Sequence, residues 1–162
     1  MSITKVNADI MDLSDDYSFS GTVTGAGGGK VKQVVYADSH AIVTGSTTVP
    51  FDDTIFQNSE GVEIITLAIT PTASNSILKI DFNCTFGGPS SQSGQLGLFQ
   101  DTTANALCSQ YDYIYGYGHL TLQHLMTAGT TSATTFKVRG GAGSGTVTFN
   151  GYSGVNAIGG DI

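Results

Sequence analysis

Charge is what this sequence has least of. Asp, Glu, Lys and Arg make up 12% of its 162 residues, against about 25% in an ordinary soluble protein. Basic residues are scarcer still, six against thirteen acidic, for a net charge of −7. Lys5, Lys30, Lys32, Lys79, Lys137 and Arg139 are scattered and form no stripe. Neutralising phosphates needs clustered Lys and Arg, so nucleic acid is not an expected partner. The same count argues against an anionic membrane surface. No apolar run approaches the roughly 20 residues that span a bilayer, so no membrane insertion is expected. MSITKVNADIMDL lacks the basic stretch and apolar run of a signal peptide, so synthesis in a cytoplasm is expected. Cysteine is limited to Cys84 and Cys108, which fit either one disulfide or two free thiols. Cys84 falls on the apolar side of an alternating segment, where a thiol acts as a small hydrophobe.

Thr, Ser, Gly and Asn stand where the charges are missing. A surface of hydroxyls, amides and glycine suits extracellular fibres, adhesins and virion proteins. It also suits subunits buried in an assembly, where each unpaired charge would cost desolvation energy. An outside-type surface on a chain made in a cytoplasm is reconciled by a virion protein released on lysis.

Helical periodicity is nearly absent and period-2 alternation dominates. Segment 77–86 is the clearest: Leu78, Ile80, Phe82, Cys84 and Phe86 point one way, Lys79, Asp81, Asn83 and Thr85 the other, the pattern of a half-buried strand. Further strands are predicted at 31–36, 41–44, 62–70, 95–100, 104–109, 119–127, 134–139 and 146–150. Turn clusters such as GGPSSQSG, DTTAN, AGTTS and GGAGSG separate them. Strands at this spacing without crossover helices imply an all-β antiparallel β-sandwich or jelly roll of about eight to nine strands. Residues 30–162 form this domain. Residues 1–29 precede it as an extended arm that ends in the glycines at 25 and 27–29. Within the arm Phe19 and Val23 sit in an alternating piece able to add a strand to a neighbour or to anchor the chain; a disordered leader is the alternative.

The search for chemistry returns little. No pair of carboxylates is marked for acid–base work, so no catalytic residue is assigned and no enzyme is expected. His119 and His124 are five apart, which places them on opposite faces of a strand, and no short-spaced ligand motif occurs, so neither metal nor cofactor is expected. The glycines of 140–145 lack the lysine and helix of a phosphate loop and read as a hairpin turn. One constellation stands out: Tyr111, Tyr113, Tyr115 and Tyr117 alternate within seven residues. An extended chain would present them as an aromatic ladder with polar tips. Such a ladder serves either recognition of a sugar or protein receptor or packing between strands or subunits.

Three stretches carry a resemblance. Residues 60–71, GVEIITLAITP after Glu60, followed by Ser76-Ile77-Leu78-Lys79-Ile80, look like the "GxEIxxLxITPxxxxSKLxI" stretch of phage fibre-type proteins. Residues 98–107 resemble their "LFRDSTANAL", and 129–139 with 144–151 are similar to "TTSATTFKVRAGPNSGTxTFNG". The chain thus resembles bacteriophage tail-fibre and virion appendage proteins, common in marine phages and cyanophages, over roughly 30–160. The arm's Phe19-Ser20-Gly21-Thr22-Val23-Thr24 is similar to the leader of such proteins. The resemblance implies a jelly-roll-like sandwich, a homotrimer without cofactor, location in the virion, and contacts with other virion proteins (tail or capsid) through the arm. It implies a fibre or appendage subunit that contacts a host cell-surface glycan or protein. A capsid decoration protein held by its arm is the alternative, and a fibre-borne glycan-degrading enzyme a more remote one. The family's final strand, "SSITITEI", is not matched here, since the sequence reads Gly159-Gly160-Asp161-Ile162. Either that strand is missing or another segment supplies it.

Overall fold

A computed structural model of the chain describes residues 31–156. The arm with Phe19 and Val23, and the question of the final strand at Asp161 and Ile162, lie outside the described residues.

The domain is an all-β antiparallel sandwich, as alternation implies. Its strands are β1 (Val43–Gly45), β2 (Val62–Ile69), β3 (Ile77–Gln100), β4 (Cys108–Thr127), β5 (Thr134–Gly141), β6 (Val147–Phe149), β7 (Gly151–Tyr152) and β8 (Val155–Asn156). The frame is one long hairpin. β3, 24 residues, pairs with β4, 20 residues, from Ile77 opposite Thr127 to Leu98 opposite Cys108. On its other edge β3 meets β6 at Phe86 and Gly87 and β5 at Gln95–Gln100. β6 carries β1, and β5 carries β2.

Both halves of β3 feed one core. Leu78, Cys84 and Phe86 come from the first half, Leu96 and Leu98 from the second. Leu120 and Leu122 of β4, Phe136 and Val138 of β5, Val147 and Phe149 of β6 and Ile64 of β2 complete it. Phe86 and Phe149, both fully buried, lie with ring centres 6.5 Å apart. Burying each such side chain contributes roughly 1.5–3 kcal/mol. A smaller cluster of Val49, Phe56 and Phe99 forms where the β1–β2 loop crosses the opposite face. Arg139 ties that loop down, its Nε donating to the Glu60 carbonyl and one terminal nitrogen to that of Gly61.

Three sequence expectations need correction. GGPSSQSG does not turn: it continues β3, with a bulge between Gly87 and Ser91 where β3 spends four residues against two of β4. Glycine in a strand interior marks such bends and bulges. Segment 31–36 forms no strand: among the described residues it has no ladder partner, and Val31, Val34 and Tyr36 stand exposed. Residues 104–107 belong to the β3–β4 turn, and the strand begins at Cys108.

That turn explains the DTTAN cluster. Asp101 adopts a left-handed φ of 52°, which Asp tolerates better than most side chains. Its Oδ1 accepts from the Thr135 amide at 2.8 Å and its Oδ2 from the Thr134 hydroxyl at 3.0 Å. Its own N–H donates to the Thr135 carbonyl at 2.8 Å. One carboxylate thus fastens the end of β3 to the start of β5.

Candidate functional site: an aromatic row on β4

The four tyrosines lie on β4, which runs through the whole stretch as a strand. Their register is Tyr111 opposite Gln95, Tyr113 opposite Ser93, Tyr115 opposite Ser91 and Tyr117 opposite Gly87. Opposite Tyr113 and Tyr117, Ser93 and Gly87 are too small to cover the rings. The tyrosines are 46, 62, 88 and 57% exposed in chain order, whereas Leu120 and Leu122 at even positions are buried. From Tyr111 to Tyr117 the strand takes six steps, so the row runs about 20 Å at a rise of about 3.3 Å per residue.

Both ends of the row are extended by aromatics remote in sequence. Phe51 sets its ring edge-on to Tyr111, centroids 4.9 Å apart and planes at 89°. Tyr152 lies against Tyr117 at 4.6 Å and 31°. Each added ring rests on a glycine. A Cβ on Gly143 would lie 2.3 Å from the Phe51 ring, and one on Gly87 would lie 2.9 Å from that of Tyr152. Sequence reasoning missed Phe51 and Tyr152, because only the pairing of β3 with β4 and β6 brings their segments alongside. Ser93, opposite Tyr113, ties the β5–β6 connection to β3, its Oγ accepting from the Gly143 amide at 3.0 Å.

The remaining polar groups are occupied with structure. Lys79 beside Asp81, at 2.7 Å, holds that carboxyl below its usual range, with Gln123 as the second cause. The hydroxyl and then the amide of Thr54 do the same for Asp52. Glu60 accepts from the Gln57 amide, and Glu63 lies 3.8 Å from Lys137. An open groove of about 370 Å³ runs between 37–39, Ile64, Ile65, 81–85 and Asn150. It holds Asp38 and the already paired Asp81. His119 is exposed and His124 half-buried, at odd and even positions of one strand. No group of three His, Cys, Asp or Glu able to hold a metal occurs among the described residues.

Cys84 and Cys108 are free thiols. Burial alone pushes the Cys84 thiol up to about 12 from 9.0. It pushes that of Cys108 up less far. The neutral Cys84 thiol is therefore favoured by folding. Its contribution is complete below pH 9, where the unfolded thiol is also protonated, and is lost as the pH climbs toward 12. The loss is at most about 1.4 kcal/mol per pH unit. Urea midpoints of the wild type and Cys84→Ala, measured from pH 8 to 11, should converge as pH rises. A constant difference between the two proteins would contradict the assignment.

No protein-family model matches the chain, and no curated protein matches it.

Proposed function

We propose that this chain is a structural subunit of a bacteriophage particle, borne on a fibre or appendage, and that the aromatic row on β4 is its host-contact face. The observation that carries the proposal is the row itself: four exposed tyrosines at alternate positions of one long hairpin, prolonged by Phe51 and Tyr152. Tyrosine offers a large apolar area with a polar tip at low entropic cost. A sandwich with no use for these rings in its core nevertheless presents them to solvent. The charge-poor surface and the resemblance at 60–80, 98–107 and 129–151 support the virion setting. In this reading the arm, 1–29, joins the subunit to the rest of the particle.

The test is binding of labelled full-length protein to host cells. Tyr113→Ala/Tyr115→Ala should reduce binding at least about tenfold, as removal of aromatic anchors does. Its unfolding midpoint should stay close to wild type, because both side chains are exposed. Undiminished binding by a folded double variant would refute the contact face.

A further inference from the structure

β4 is hydrogen-bonded along one edge only. Among the described residues it pairs with β3 and with no other strand. An open edge exposes N–H and C=O groups, and proteins blunt such edges with short strands, Lys, Pro or bulges. Here the Asp112 carboxylate accepts from the Tyr113 N–H at 2.8 Å and the Gln110 amide donates to the Tyr111 carbonyl at 3.2 Å, two side chains on the surface that pairing would turn outward. β4 is 20 residues long and contains no Lys, Arg or Pro. Asp112 is its one acidic residue. The bulge puts its surplus residues on β3, and on β4 the irregularity is confined to Gly116, whose φ is +93°.

The middle of that edge reads alike in both directions. Tyr111, Tyr113, Tyr115 and Tyr117 are symmetric about Ile114. Two such strands paired antiparallel about a two-fold axis at Ile114 would set Tyr111 opposite the partner's Tyr117 and Tyr113 opposite the partner's Tyr115. Every tyrosine would then meet a tyrosine, and aromatic cross-strand pairs are among the favourable ones. Asp112 would fall opposite the partner's Gly116, whose Cβ position is open, with no atom within 4 Å. An axis at Asp112 would instead oppose two carboxylates, which is destabilising. An axis at Gly116 would set Tyr113 against His119 and Tyr111 against Thr121. Only the Ile114 axis matches all four rings.

We infer that two copies of this chain associate through β4 in this register, forming one sheet across the two-fold axis with eight tyrosines in a continuous field. The seam is isologous, so it closes on itself and leaves no open β4 edge. Tyr113 and Tyr115 belong both to the seam and to the proposed host-contact face, so the seam is tested by oligomeric state without host cells, which keeps its failure distinct from failure of host contact. A two-fold seam gives a dimer or an even multiple of it, which differs from the homotrimer expected from sequence.

Mass by light scattering of the full chain at micromolar concentration should give a dimer or an even multiple. A monomer or a trimer would overturn the inference. The register is read by mixing Tyr113→Cys protein with Tyr115→Cys protein under mild oxidation. The mixture should yield a covalent dimer in excess of either variant alone. The native Cys108 falls opposite the partner's Leu120 and supplies no competing bond. An even oligomer whose mixture does not cross-link would place the contact elsewhere, such as an arm laid on β4, and would also overturn it. Tyr113→Lys/Tyr115→Lys brings lysine against lysine at the seam. It should weaken association at least about a hundredfold while the circular dichroism spectrum stays that of the wild type.

Discussion

Gly94→Val is expected to destabilise the fold by about 3 kcal/mol or more. A Cβ at this position would lie 2.2 Å from the ring of Phe86, eight residues earlier on the same strand. Phe86 cannot yield. It is fully buried, and Phe149 lies beside it in a core packed about as densely as an organic crystal. Overpacking a core costs typically about 1–3 kcal/mol, and a branched side chain against an immobile ring belongs at or above the top of that range. The glycine is what lets β3 carry Phe86 over its own second half, the bend on which the sandwich depends. Urea unfolding followed by circular dichroism measures the effect. A wild-type midpoint for Gly94→Val would contradict the packing. Gly94→Ala gives a milder test, because its loss should be partly restored by Phe86→Leu, a coupling expected only for residues in contact.

Phe149→Ala should cost about 3–5 kcal/mol, the range for deleting a buried phenyl ring. The site is a junction rather than a strand interior. β6 is three residues long, yet it joins β1 to β3. The Phe149 ring also reaches Gly140 of β5, where a Cβ would lie 2.5 Å from its tip. Removing it opens a cavity where β6, β3 and β5 meet. Against a total stability of about 5–15 kcal/mol for a typical domain, the variant should melt far below the wild type. Phe51→Ala, which removes an exposed ring from the end of the aromatic row, should cost less than about 1 kcal/mol. Equal losses for the two would show that Phe149 is not a core residue.

The parts of this fold that could be read from sequence are those where one residue type has one physical use. Alternation at 77–86 survives in the structure because each apolar side chain finds the core. The tyrosine alternation does so because the strand continues through it. Glycine has several uses, and there the sequence misleads. GGPSSQSG has the composition of a turn, but Gly87 makes room for Tyr152 and Gly94 for Phe86, so the segment is a strand that bends. Segment 31–36 fails in the opposite way: β-branched residues supply propensity, but no ladder partner occurs among the described residues. In the aromatic row, local spacing gave the four tyrosines. Phe51 and Tyr152 depend on long-range pairing, and nothing at 51 or 152 marks them. The DTTAN turn had a legible position but an unreadable purpose, because Thr134 and Thr135, which Asp101 binds, lie beyond the next strand.

The central claim is that the aromatic row is an outward contact surface of a phage particle. A density map of the particle that resolves this subunit tests it most directly. The account expects the β4 face, with Tyr113 and Tyr115, directed away from neighbouring virion proteins and meeting the host envelope in adsorbed particles. A map in which those rings are buried against the capsid lattice would contradict it and identify the subunit as a decoration protein.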